Sequence, residues 1–216
     1  MKLSKLIPLC AVASAFCACS SPQVKAPEAI LPIPEQKQVD WQKMETYAFI
    51  HFGLNTFNDR EWGYGDTDPK IFNPARLDCE QWAQTLVKAG MKGVILTAKH
   101  HDGFCLWDSQ YTDYDVASSP VKTDVVKAVS DACRKYGLQF GVYYSLWDRH
   151  EPSYRDKDPK KYIDYMIGQL RELFLNYGPI CELWFDGGWD RPVKDWDLPR
   201  VYAEVKKMQP NCAVGV

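Results

Sequence analysis

The chain has no surplus of positive charge. Its 26 Lys and Arg stand against 28 Asp and Glu, a formal net charge of -2, which argues against a nucleic-acid partner, since such binders carry a basic stripe. No Gly-x-Gly-x-x-Gly or phosphate-loop pattern follows its first strand-like run, so a nucleotide-binding sheet is disfavoured. Histidine is scarce, at four residues in 216. There is no His-x-His on the first strand, and the cysteines lack metal-type spacing. The apolar run near the N-terminus, Leu6 to Phe16, is too short to cross a bilayer as a helix.

What is present is a globular composition, 46% hydrophobic with 25% charged residues, of the kind that builds a core. Eight Trp and twelve Tyr supply core rings and flat faces suited to stacking on sugars. The N-terminus reads as an export signal over residues 1–19. A basic start, Met1 to Lys5, precedes the apolar run, and Phe16-Cys17-Ala18-Cys19 resembles a lipoprotein cleavage site with Cys19 lipidated. Residues 20–40, rich in Pro, Ser and Ala, then read as a tether. The expectation is an exported bacterial protein of the periplasm or outer membrane, touching membrane only through its lipid. Three cysteines fall in the leader. Of the other five, Cys133 and Cys181 sit among apolar neighbours as small core residues. Export permits disulfides, but nothing in Cys79, Cys105, Cys133, Cys181 and Cys212 specifies one.

From Trp41 onward strand, polar loop and helix alternate. Strand signals cover Tyr47–Leu54, Gly93–Ala98, Leu138–Tyr144 and Pro179–Phe185, and Cys212–Val216 begins another. Helices are expected from an Asp78 cap to Lys88 before Gly90, from Thr123 or Asp124 to Tyr136 before Gly137, over Pro159–Tyr177, and over Pro199–Met208. Such alternation implies parallel βαβ units. Polar residues collect where strands end: His51, His100 with His101, Tyr143 with Tyr144, and Asp186. Chemistry spread over several strand ends favours an α/β (β/α)₈ TIM-like barrel. A complete barrel takes about 250 residues, so the first four to five βα units are expected over residues 41–216, a truncated catalytic barrel.

Three of the four histidines fall at strand ends. A metal site is one reading. Against it, adjacent His100 and His101 point to opposite sides if the strand runs through them. The other reading is hydroxyl recognition. Imidazoles, Glu61 and Tyr144 provide directional donors and acceptors, Trp62 and Trp184 provide flat apolar faces, and that mixture suits a small sugar. Asp186, followed by two glycines at the end of a buried strand, is then a nucleophile of the retaining type, in which a second carboxyl group lies about 5–5.5 Å away.

The segments Phe49-Ile50-His51-Phe52-Gly53, Glu61-Trp62, Lys99-His100-His101-Asp102-Gly103-Phe104, Tyr143-Tyr144-Ser145 and Trp184-Phe185-Asp186-Gly187 together resemble the α-L-fucosidases of glycoside hydrolase family 29. The resemblance runs from Trp41 to Val216. It implies a (β/α)₈-like catalytic barrel, usually followed by a β-sandwich, that cleaves terminal α-L-fucosyl residues with retention. Carried over by position, Asp186 is the nucleophile, and His51, Glu61, Trp62, His100, His101, Tyr144 and Trp184 line the fucose pocket. The Glu61-Trp62-Gly63-Tyr64-Gly65 form resembles the branch acting on α-1,3/1,4 linkages. No cofactor or metal is implied, and the partner is a fucosylated oligosaccharide or glycoconjugate. The family's acid/base lies on a later strand-end loop beyond Val216, so the chain alone is expected to be inactive. A non-catalytic fucose-binding remnant is the alternative, and a metal-dependent hydrolase a more distant one.

Overall fold

A computed structural model describes residues 25–215. The leader and the Cys19 site lie outside the described residues. By its contacts the chain divides between Ile33 and Pro34, and the unit from Pro34 onward carries the fold. No helix among the described residues is long and apolar enough to cross a membrane.

Five strands form one wholly parallel sheet: β1 (Tyr47–Ile50), β2 (Gly93–Lys99), β3 (Gln139–Ser145), β4 (Glu182–Asp186) and β5 (Ala213–Gly215). Their order across the sheet is their order along the chain. Between them lie α2 (Cys79–Lys88), α3 (Val125–Tyr136), α4 (Lys160–Asn176) and α5 (Leu198–Met208), so the expected βα alternation is met. The local signals act as anticipated. The Asp78 and Asp124 carboxylates accept from Gln81 N and Lys127 N at 2.9 and 2.8 Å, and Gly137 closes α3 at φ 73°. These caps satisfy amide donors that a helix start leaves free.

Successive strand residues face opposite sides. One side, carrying Val94, Leu96, Phe140, Val142, Leu183 and Phe185, joins the helices in a single core. Burying such side chains contributes roughly 1.5–3 kcal/mol each. The other side carries Phe49, Tyr143 and Trp184, whose rings meet edge-on around Phe49 at 5.7 and 5.2 Å.

The alternation breaks once. A register shift between Thr97 and Lys99 makes Ala98 an extra residue, so Lys99 aligns with Tyr144. The shift turns Lys99 to the helix side, where its Nζ meets Asp148 Oδ2 at 2.7 Å with both side chains fully buried. It also lies 4.3 Å from the centre of the Tyr144 ring. Burial is the largest single influence and pulls the Lys99 pKa down, but Asp148, Tyr162 and Cys105 together outweigh it and hold the amine above its ordinary value.

The fold begins earlier than residue 41. Helix α1 (Gln36–Gln42) occupies the end of the expected tether. It is tied down by Trp41 Nε1 donating to Glu182 Oε2 at 2.5 Å and by the Lys206–Glu35 ion pair at 3.1 Å. Glu182 thus belongs to the amino-end of the sheet, and Asp186 to the opposite end. The five described cysteines are free thiols. Burial pushes Cys79 to about 11 and Cys133, Cys181 and Cys212 to about 12, which keeps them protonated and inert.

Candidate active site

Asp186 is the last residue of β4 and aligns with Ser145 of β3. Two donors hold its carboxylate. Tyr143 Oη donates to Oδ2 at 2.6 Å, and Gly187 N donates to Oδ1 at 2.7 Å. Gly187 is the residue this turn requires. Its φ is 77°, and an added Cβ would stand 2.8 Å from Trp147 Cβ and 3.2 Å from His101 Cε1. Tyr143 remains a donor at any physiological pH, because burial, then the hydrogen bond to Asp186, raise its pKa far above the ordinary value.

His101 Nε2 lies 3.8 Å from Asp186 Oδ2. The other ring nitrogen, Nδ1, is 2.6 Å from Ser145 Oγ, whose single proton is directed to Trp147 O at 2.6 Å. Ser145 must therefore accept, Nδ1 carries the hydrogen, and Nε2 of the neutral ring presents a lone pair beside the carboxylate. Neutrality is favoured. Burial lowers the His101 pKa, as do Arg149 and His51, against the opposing charge of Asp186. Next to it His100 stacks on Tyr143 at 5.7 Å, and burial followed by His101 and His51 pushes its pKa down to about 3.

The two histidines do not diverge as an uninterrupted strand would require. β2 ends at Lys99, and the rings lie 4.2 Å apart, with His51 a further 4.6 Å from His100. His51, His100, His101, Trp184 and Asp186 thus gather at one end of the sheet. Trp62 joins them from its loop, with its indole 5.5 Å from His101 and 5.8 Å from Trp147. Exposed Glu61 shares with His51 and His100 a cavity of about 360 Å³.

Tyr144 does not line this site. It sits on the helix side of β3, wholly buried, with Oη donating to Gln169 Oε1 at 2.7 Å. The neighbour Tyr143 occupies the expected place. Counting by twos from Ser145, the partner of Asp186, would have separated the two tyrosines. Trp147, whose indole lies 5.2 Å from His101, carries no such mark in the sequence.

Asn55 and Asp102 line the same cavity as His100. Each of the three has a buried polar atom without a partner: Asn55 Oδ1, His100 Nδ1 and Asp102 Oδ2. Burial raises the Asp102 carboxyl to about 7. Asp186 is not part of this lining; it is linked to His100 by way of Tyr143, on which His100 stacks and whose hydroxyl donates to Asp186. Among the described residues no group of three or more His, Cys, Asp and Glu side chains is arranged to hold a metal ion.

A parallel α/β sheet with a braced carboxylate at a strand's carboxyl end, ringed by neutral imidazoles and indoles, has the make-up of a carbohydrate site. The alpha-L-fucosidase family model matches residues 17–216, and the chain belongs to that family. It is 42% identical over 193 residues to Alpha-L-fucosidase 1 of Arabidopsis thaliana, an alignment covering 87% of this chain and 38% of that protein. A crystal structure of a glycoside hydrolase 29 family member from an unknown rumen bacterium superposes with a TM-score of 0.79 at 49% identity, over 85% of this chain and 36% of that one. A putative alpha-L-fucosidase from Bacteroides ovatus gives 0.78 at 46% identity, over 85% and 32%. The chain thus spans about a third of the length of these relatives.

Proposed function

We propose that this chain supplies the fucose-binding end of a retaining α-L-fucosidase, an exported glycosidase acting on terminal α-L-fucosyl groups of oligosaccharides or glycoconjugates. The observation that carries the proposal is Asp186 held at a strand end by Tyr143 Oη and Gly187 N, beside the lone pair of His101. In this reading an Asp186 oxygen attacks the anomeric carbon as the bond to the leaving oxygen breaks, giving a fucosyl ester. A general acid donates a proton to that oxygen, and water then releases fucose with the original configuration. Each hydrogen bond to the charged carboxylate is worth about 1.5–3 kcal/mol, and the pair fixes its plane for attack.

The substrate is a 6-deoxy sugar with three ring hydroxyls to satisfy. Asn55, His100 and Asp102, which line one cavity, leave hydrogen-bonding capacity unmet. Phe49, Trp62 and Trp184 offer apolar walls. His51 and Glu61 complete the polar side. The protonating group is assigned to no residue of this chain, so the chain alone is expected to be inactive on natural fucosides. Five parallel strands in chain order support reading the sheet as part of a (β/α)₈ wall. Export with lipidation at Cys19 belongs to the same proposal.

The test is Asp186→Gly in the intact protein. Turnover should vanish while a fucose-like iminosugar still binds, and azide should restore cleavage of an activated fucoside with inverted product. Near-normal hydrolysis by the variant would overturn the assignment, and binding without turnover in the wild-type protein would favour a fucose-binding remnant.

A further inference from the structure

Beyond the strand end, the loop after Asp186 holds an indole out in solvent. Trp189 is 62% exposed, in a short 3-10 turn, Gly188–Asp190. The residues on both sides of it are anchored. On one side, Gly188 O accepts from Trp196 Nε1 at 3.0 Å, and Trp196 is itself buried in the core. On the other, Asp190 Oδ2 accepts from Tyr154 Oη at 2.6 Å, and the Arg191 guanidinium lies 4.5 Å from the centre of the Tyr154 ring. Tyr154 is also a core residue. A loop free to fold over would bring Trp189 down onto apolar surface, since an indole has a large area to bury. These anchors keep it in water instead.

Its position is not arbitrary. The Trp189 ring stands edge-on to His101 at 5.7 Å, and His101 is the neighbour of the Asp186 carboxylate. The site is graded in depth from the buried His101 through the partly exposed Asp186 side chain to Trp62 and Trp189 at the rim. A sugar bonded to the nucleophile occupies the inner part, and whatever is attached to that sugar leads outward past the rim.

We infer that Trp189 is the stacking platform for the leaving-group sugar, a pyranose that lays an apolar C–H face on the exposed indole. The inference rests on the fucosidase reading and adds a second subsite to it. Holding the ring in place before binding removes an ordering cost from association. The contact exists only until the glycosidic bond breaks. The fucosyl ester on Asp186 no longer carries that sugar, so Trp189 assists the first chemical step and not the second.

The experiment compares wild type, Trp189→Ala and Trp189→Phe in the intact protein on two substrates. One is a fucosylated trisaccharide. The other is α-L-fucosyl fluoride, whose leaving group is an ion without a ring and departs without a proton. Trp189→Ala should lower kcat/KM on the trisaccharide about 10-fold or more, as expected for losing a buried aromatic contact. It should leave fucosyl fluoride hydrolysis within about 2-fold, and Trp189→Phe should recover part of the loss. Equal losses on both substrates would place Trp189 against the fucose itself or in support of Asp186, and no loss on either would leave it without a role. Each of those results overturns the inference while the fucosidase reading stands. A wild-type protein inert on fucosyl fluoride would instead overturn that reading and this subsite with it.

Discussion

Lys99→Met offers the sharpest test of how the site's base is built. Lys99 and Asp148 are paired at 2.7 Å with no solvent access to either side chain. Methionine keeps much of the apolar stem between the rings of Tyr144, Tyr162 and Tyr165, so packing loss is small. What is lost is the partner of a buried carboxylate, which typically costs about 3–5 kcal/mol. Asp148 also anchors its own loop, with Oδ1 accepting from His150 N at 3.0 Å and Glu151 N at 2.9 Å. Trp147 and Arg149 flank it on either side, so the penalty falls directly behind the site. For a domain of this size the cost corresponds to a fall in Tm of about 6–20 °C. Urea unfolding of the intact protein, followed by tryptophan fluorescence, gives the free energy directly. Adding Asp148→Asn should recover at least half of the loss, because the amide is neutral and its oxygen can still cap residues 150 and 151. The pair should also be indifferent to neutral pH. Lys99 has a raised pKa when folded, so its contribution is complete below the unfolded value of about 10.4 and disappears only as pH rises through the higher folded value. A Lys99→Met protein within about 1 kcal/mol of wild type would refute the reasoning.

Neighbouring tyrosines should separate cleanly. Tyr143→Phe removes one of two donors to Asp186 and should lower kcat/KM on fucosyl fluoride roughly 10- to 150-fold with little loss of stability. Tyr144→Phe strands Gln169 Oε1 in the helix layer and should cost about 1–3 kcal/mol in urea unfolding while kcat/KM stays unchanged. Reversal of the two phenotypes would put Tyr144 back at the site. For His100 burial pushes the folded pKa down to about 3 from the ordinary 6.5, so its neutral form stabilises the fold fully above about pH 6.5. That contribution should drain away as pH falls toward 3, since the unfolded chain takes up the proton first. His100→Gln should flatten this part of the stability-pH curve, and an unchanged slope would mean that other groups set it.

Much of the frame was readable from residue order alone, for identifiable reasons. Asp78 and Asp124 are helix-capping residues placed just ahead of amphipathic runs, and Gly137 is free to adopt the left-handed closure seen at φ 73°. Apolar runs between them could only be buried strands, and each ended in the polar residues that now meet. The register shift at Ala98 was not readable, because an extra residue in a parallel pair leaves no mark in hydrophobic alternation. It changes the side on which Lys99 lies, and with the strand ending there His100 and His101 come together. The choice of Tyr144 over Tyr143 followed the motif rather than the pleat, and the pleat decides which hydroxyl reaches Asp186. Helix α1 was hidden in a Pro- and Ala-rich approach, since its anchors are long-range contacts, Trp41 to Glu182 and Glu35 to Lys206. The exposure of Trp189 likewise depends on Trp196 and Tyr154, which converge on its loop only in three dimensions.

The most direct measurement is covalent trapping. Incubated with 2-deoxy-2-fluoro-α-L-fucosyl fluoride, the intact protein should lose fluoride from the anomeric carbon and form an ester that the electron-withdrawing 2-fluorine makes slow to hydrolyse. Peptide mass spectrometry is expected to locate the fluorofucosyl group on Asp186, one group per chain, and Tyr143→Phe should slow its attachment. A label on any other carboxylate, or rapid fucosidase turnover with Asp186 never labelled, would contradict the account.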